Sequence, residues 1–87
     1  MATLQDQFAK AQAAVNQLPA RPDNDTLLKL YALYKQATLG DVKGERPGGF
    51  DLARIAKYDA WNKIKGTATE TAMHQYIELV DSLRQMK

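Results

Sequence analysis

Residues 67–85, TATETAMHQYIELVDSLRQ, decide the fold class. Met73, Tyr76, Ile77, Val80 and Leu83 recur at three- and four-residue intervals and form one apolar stripe on a helix. Thr67 and Glu70 stand at capping-box spacing, so the helix is expected to begin at Thr67 and run to about Gln85. Upstream, Lys65-Gly66 closes a segment over about 52–65 that Asp51 caps. Leu52, Ile55, Ala56, Ala60 and Ile64 are expected to face inward, with Trp61 beside them. A further segment, about 25–39, follows the cap-rich Asp23-Asn24-Asp25 and ends at Gly40, a residue free to adopt positive φ. Its apolar positions are Leu27, Leu30, Tyr31, Tyr34 and Thr38, with Leu28 and Leu33 widening the face. The first segment, about 4–18, carries Leu4, Phe8, Ala11, Val15 and Leu18 on one stripe. Thr3 and Asp6 resemble a cap at its start, and Pro19 and Pro22 end it.

No segment alternates with period two and no internal repeat is visible, so the prediction is an all-α bundle of four helices. Residues 40–50, GDVKGERPGGF, hold four of the five glycines and form a loop longer than most helix–helix connections. At 87 residues the chain makes one domain, 1–87, and buries only roughly 60% of its unfolded surface. With no cysteine, it has no disulfide, no Cys-ligated metal and no thiol nucleophile. No stretch approaches the roughly 20 apolar residues of a membrane span, and the N-terminus lacks the basic-then-apolar pattern of a signal peptide. A cytoplasmic protein is expected. Each helix has a polar face and no second apolar stripe, so monomer is the default expectation.

The net charge of +2 is unevenly spread. Between Lys29 and Lys65 eight basic residues face four acidic ones, while the flanks together are net acidic. A local +4 fits a single anion better than a nucleic-acid polymer, which needs bulk charge, although on charge count alone an unevenly charged, solvated surface is the commoner reading. Within that region Tyr31, Tyr34 and Lys35 share a helical face. Two phenols beside an ammonium can stack on a planar base and hold a phosphate together. Arg54 and Lys57 supply a second basic edge and Tyr76 a further ring. If these faces converge they form a site for a phosphorylated nucleotide. Taken alone, tyrosines at helical spacing are more often core with a wetted hydroxyl.

Several of these residues belong to a longer pattern. Residues 31–41 read YALYKQATLGD, followed by Arg46-Pro47-Gly48 and Asp51. Residues 56–62 read AKYDAWN, followed by Lys65-Gly66, Ala72-Met73 and Tyr76-Ile77. From about residue 4 to residue 86 the chain resembles the acyl-CoA-binding protein family, small cytosolic carriers of long-chain acyl-CoA thioesters. The resemblance implies an up-down-down-up four-helix bundle, non-catalytic, that binds, transports and buffers long-chain fatty acyl-CoA. Carried onto this chain, Tyr31, Lys35 and Lys57 would hold the ribose 3′-phosphate. Tyr34 and Tyr76 would flank the adenine. The backbone and side chains between Tyr31 and Lys35, Ala32 and Leu33 among them, would line the bowl, and Leu28 would wall the acyl groove. The ligand is acyl-CoA itself, with no separate cofactor, and acyl-CoA-using enzymes are the implied partners.

Three positions depart from the family pattern. Tyr58 stands where Trp is common, and a hydroxyl is then expected to face the site. Asn16 and Ala53 stand where basic residues are common, leaving Asn16 and the neighbouring Arg54 as weaker candidates for ligand contact. Trp61 reads as packing, Asp51 as a cap, and Arg46 as a residue that orders the loop or reaches the anion. His74, the only imidazole, reads as solvent-facing with no metal-ligating partner, and no nucleophile–base pair is present. Asp81-Ser82-Leu83 matches the phosphopantetheine attachment sequence of acyl carrier proteins, but it lies inside an amphipathic helix near the C-terminus and reads as accidental. The competing class is a helical nucleic-acid or protein-interaction module that uses the basic middle.

Overall fold

A computed structural model describes residues 2–85, which hold four helices and no strand: α1 (Leu4–Val15), α2 (Asn24–Leu39), α3 (Leu52–Lys63) and α4 (Thr69–Arg84). Residue 86, the far end of the family resemblance, lies outside the described residues. α1 opens on a complete reciprocal cap. The Asp6 N–H donates to Thr3 Oγ1 (3.1 Å) and the Thr3 N–H to Asp6 Oδ2 (3.2 Å), so aspartate fills the place Glu or Gln usually takes. The helix stops at Val15, three residues before the expected end. The Gln17 and Leu18 N–H groups donate to Ala14 and Val15 (3.0 and 3.4 Å), a tightened last turn ahead of Pro19, which disfavours helix in the residue before it. Asp23 caps α2 through the Thr26 N–H (2.8 Å), and Gly40 ends it at φ 79°.

Neighbouring side chains establish the topology. Tyr31 meets Lys57 and Gln36 meets Trp61, so α2 and α3 run in the same direction. Gln36 reaches Thr67 just before α4, while Thr26 and Leu83 line one hollow, so α2 and α4 are antiparallel. Phe8 packs on Tyr76, and Ala14 shares a hollow with Arg84, so α1 runs with α4. The order is up-down-down-up, and the long loop 40–50 is what returns the chain for a second descending helix.

The core belongs to three helices. Phe8 and Ala11 of α1, Leu30, Leu33 and Ala37 of α2, and Ala72, Tyr76 and Val80 of α4 form it, with Met73, Ile77 and Leu83 packed against it. Helix α3 packs on α2 alone and buries none of its residues fully. The expectation that Leu52 faces inward is therefore wrong: it is 75% exposed. Ile55, Ala56, Ala60, Trp61 and Ile64 are only half-buried. With one neighbour, the stripe of α3 has a floor and no second wall.

A polar junction holds the ends of α2, α3 and α4 together. The Gln36 side chain is 0% exposed. Its amide donates to Asp41 Oδ1 (2.8 Å) and to the Thr67 carbonyl (2.7 Å), and its Oε1 accepts from Trp61 Nε1 (3.0 Å). Trp61 Nε1 also reaches the Gly40 carbonyl (2.9 Å), and the Gly66 N–H donates to Asp41 (2.8 Å). Trp61 thus packs as expected and is also a hydrogen-bond donor. Because the chain at 66–67 is committed to this junction, the expected Thr67 cap is not made. α4 starts instead from Ala68 with no side-chain cap.

The Gly66 N–H first, then the Gln36 amide and the charge of Lys65, hold the Asp41 carboxyl below the usual range, against a desolvation cost. The Arg46 guanidinium does the same to Asp59. A carboxyl held low in the folded state binds fewer protons than in the unfolded chain. The stability it lends is therefore full above about pH 4 and is lost as pH falls through the folded value. Urea-unfolding midpoints are expected to stay level from neutral pH to about 5 and then decline. Asp41→Asn should flatten that decline, and an unaltered acid slope would show that Asp41 is not its source.

Candidate functional site

The Tyr31 ring is the focus of the charged face. Lys35, one turn further along α2, places Nζ 5.6 Å from the ring centroid, and Lys57 of α3 places its own at 5.4 Å. Both lie within the range at which the quadrupole of an aromatic ring attracts a cation. Neither lysine is paired with a carboxylate among the described residues. Two ammonium groups therefore meet across one phenol with no protein anion between them, and the parallel course of α2 and α3 makes this possible. A multiply charged anion is what such a pair lacks.

Beside the two lysines, α2 and α3 enclose an open hollow of about 460 Å³. Leu27, Leu28, Leu52, Ala53 and Ala56 form its apolar lining, and Arg21, Asn24, Tyr31 and Lys57 its polar rim. The missing second wall of α3 leaves this surface uncovered. Leu28 stands where expected. Leu27, Leu52 and Arg21 were not anticipated as lining residues; the Tyr31 stripe leads back through Leu28 to Asn24 by helical spacing, but Arg21 comes from the link before α2, where that spacing does not apply.

A third group lies toward α1. Tyr34 and Tyr76 flank Phe8: the Tyr34 ring is stacked on Phe8 at 6.0 Å between centroids with a 22° interplanar angle, and Tyr76 meets Phe8 edge-on at 5.0 Å. Phe8 was read only as core, yet it fixes the separation of the two tyrosines. Tyr76 is 5% exposed, and burial, with a smaller contribution from Tyr34, pushes its phenol upward. The Tyr76 hydroxyl therefore stays protonated at neutral pH and remains a hydrogen-bond donor.

Other candidates fall elsewhere. Ala32 and Leu33 point away from Tyr31, because successive helical residues turn by about 100°. Both are buried, and both line a neighbouring hollow of about 660 Å³ that shares Leu28 and Ala56 with the first. Their side chains are therefore not among the lining residues of the Tyr31 hollow. Arg54 is turned outward, its N–H bonded to Asp51 (3.2 Å) and its guanidinium 4.0 Å from the same carboxylate. Asn16 is exposed at the end of α1 and is not among the lining residues of the Tyr31 hollow. Tyr58 does not present its hydroxyl to the hollow but donates to the Gly44 carbonyl (3.0 Å). Arg46 grips Asp59 with two bonds (2.8 and 2.9 Å), so it orders the loop and is occupied there. Ala53 lines the hollow and leaves it a methyl group in place of a charge. His74 is exposed, and Ser82 lies within α4. Among the described residues no cluster of three His, Cys, Asp or Glu is placed to hold a metal, and no helix is long and apolar enough to cross a membrane.

An apolar trough between two helices, with a double-ammonium site at one edge and a tyrosine pair nearby, defines a helical binding module for an amphiphilic anion. The acyl-CoA-binding protein family matches residues 5–80, and the chain belongs to that family. The acyl-CoA-binding protein of Saccharomyces cerevisiae is 50% identical over 76 residues, 87% of each chain. Acyl-CoA-binding protein homolog 1 of Caenorhabditis elegans is 49% identical over 87% of this chain and 88% of its own. The crystal structure of Oryza sativa acyl-CoA-binding protein 2 superposes with a TM-score of 0.88 at 42% identity, covering 93% of this chain and 90% of that one. That of the Moniliophthora perniciosa protein does so with a TM-score of 0.83 at 35% identity, covering 100% and 87%.

Proposed function

We propose that the chain binds one long-chain fatty acyl-CoA and serves, without catalysing a reaction, as a carrier and buffer of such thioesters. In this reading residues 1–87 act as a single monomeric cytoplasmic unit that passes its cargo to acyl-CoA-using enzymes. The observation that carries the reading is the pair of unpaired ammonium groups on Tyr31 beside an apolar hollow. A phosphate monoester carries about −1.5 to −2 charges near neutral pH, which matches Lys35 and Lys57 together. Tyr31 orients the two lysines, while Tyr34 offers the adenine an exposed ring that Phe8 and the buried Tyr76 support from behind. The acyl chain lies along Leu27, Leu28, Leu52 and Ala56. Each buried methylene is worth about 0.8 kcal/mol, so about ten supply roughly 8 kcal/mol before ordering costs. Chain length therefore dominates affinity, and the phosphate and adenine contacts supply selectivity for CoA.

Calorimetry with CoA, dephospho-CoA and a series of acyl-CoAs below their micelle concentrations tests this. Affinity is expected to climb steeply with chain length and to fall when the 3′-phosphate is removed. Equal binding of CoA and its long-chain thioesters, or binding of neither, would end the carrier reading. A nucleic-acid module would instead show a steep salt dependence and no response to chain length.

A further inference from the structure

The most exposed apolar side chains sit together at the start of α3. Phe50 is 100% exposed and Leu52 75%, and the Leu52 N–H donates to the Phe50 carbonyl (2.9 Å), so one short turn carries both. Phe50 packs on nothing. The pair is contiguous with the Tyr31 hollow, because Leu52 is one of its lining residues. Arg21 and Lys57 stand on the same rim, and Arg54 lies in the same first turn. The one acid between the two apolar residues, Asp51, caps α3 by accepting from the Arg54 N–H, with the Arg54 guanidinium 4.0 Å away. An aromatic ring and a leucine projecting from a basic rim match the interface of an anionic bilayer, where the ring enters the headgroup layer and the cations meet lipid charge.

We propose that Phe50 and Leu52, with Arg21, Arg54 and Lys57 around them, form a docking surface for an anionic membrane leaflet that sets the mouth of the α2–α3 hollow against lipid. The docking stands by itself, and its purpose rests on the carrier reading. An amphiphile whose chain is already in a bilayer moves into an apolar trough opened at that bilayer without passing through water. Attachment is weak and reversible, because two apolar side chains and three cations fall well short of a stable anchor.

Flotation of ligand-free protein with vesicles tests the proposal independently of any acyl-CoA measurement. Vesicles containing about one third phosphatidylserine should carry at least about fivefold more protein than pure phosphatidylcholine vesicles, with the excess lost as salt is raised. Phe50→Asp should remove most of that excess while leaving the helical circular dichroism unchanged, since the wild-type ring touches no neighbour. Phe50→Trp should retain it. Absence of binding to the anionic vesicles, or a Phe50→Asp protein that floats like the wild type, would overturn the proposal. So would a Phe50→Asp protein whose only defect is weaker acyl-CoA binding in vesicle-free buffer, because Phe50 would then be a cover for the chain. Concentration-dependent dimerisation abolished by Phe50→Asp, with no vesicle binding, would assign the patch to a second copy of the protein and equally overturn it.

Discussion

Lys35→Ala is expected to weaken binding of a long-chain acyl-CoA by more than about tenfold, a loss of at least about 1.4 kcal/mol. A hydrogen bond to a charged group is worth about 1.5–3 kcal/mol, and the Lys35 ammonium stands 5.6 Å from the Tyr31 centroid with no carboxylate to redirect it. The ligand supplies the control. Against dephospho-CoA thioesters the same substitution should cost little, because the group it would have met is gone. Lys57→Ala should behave alike, since its ammonium shares the ring at 5.4 Å. The double variant should lose less than the two single losses combined, as expected of neighbours that serve one anion. If Lys35→Ala weakened phosphorylated and dephosphorylated ligands equally, the 3′-phosphate would have to lie elsewhere. Unchanged affinity in a folded variant would remove Lys35 from the site altogether.

Gln36→Ala is expected to destabilise the fold by about 2–3 kcal/mol, read as a lower urea midpoint. The side chain is 0% exposed and makes three hydrogen bonds that join α2 to the loop, to α3 and to the start of α4. Its removal strips the Thr67 carbonyl of its Gln36 donor and deprives Asp41 of one donor, while Trp61 keeps the Gly40 carbonyl. For a domain whose total stability is about 4–13 kcal/mol, this is a large share. Gln36→Leu separates the causes. Leucine restores most of the volume but none of the bonds, so a loss similar to that of Gln36→Ala assigns the effect to the polar junction, whereas recovery assigns it to the cavity. A loss below about 1 kcal/mol in both would show that the junction contributes little to stability.

How far the sequence revealed this molecule depended on how local the determining interactions are. Helices α2 and α4 were legible because their apolar stripes do meet neighbours. The Tyr31–Lys35 pairing was legible because residues four apart on a helix always share a face. Two kinds of error came from partners that a stripe does not name. α3 carries a respectable apolar pattern, yet periodicity does not say how many helices will cover it, and Leu52 is left in the open. Gln36 is polar and so was absent from every core reading, although its three partners lie 5, 25 and 31 residues away. The Thr67 cap failed for the same reason: a local motif was displaced by a distant side chain. Ala32 and Leu33 entered the candidate set through the family resemblance, which takes the run between Tyr31 and Lys35 as a whole, whereas neighbours on a helix diverge in direction.

α3 buries none of its residues fully and leans on a single helix, whereas α1, α2 and α4 hold the core. Specificity and foldability are therefore inherited from different parts of the chain. Residues such as Ala53 and Leu52 can be exchanged to lengthen, narrow or recharge the trough with few packing partners to disturb. This gives an evolving lineage, or a protein engineer, an adjustable wall on a fixed frame.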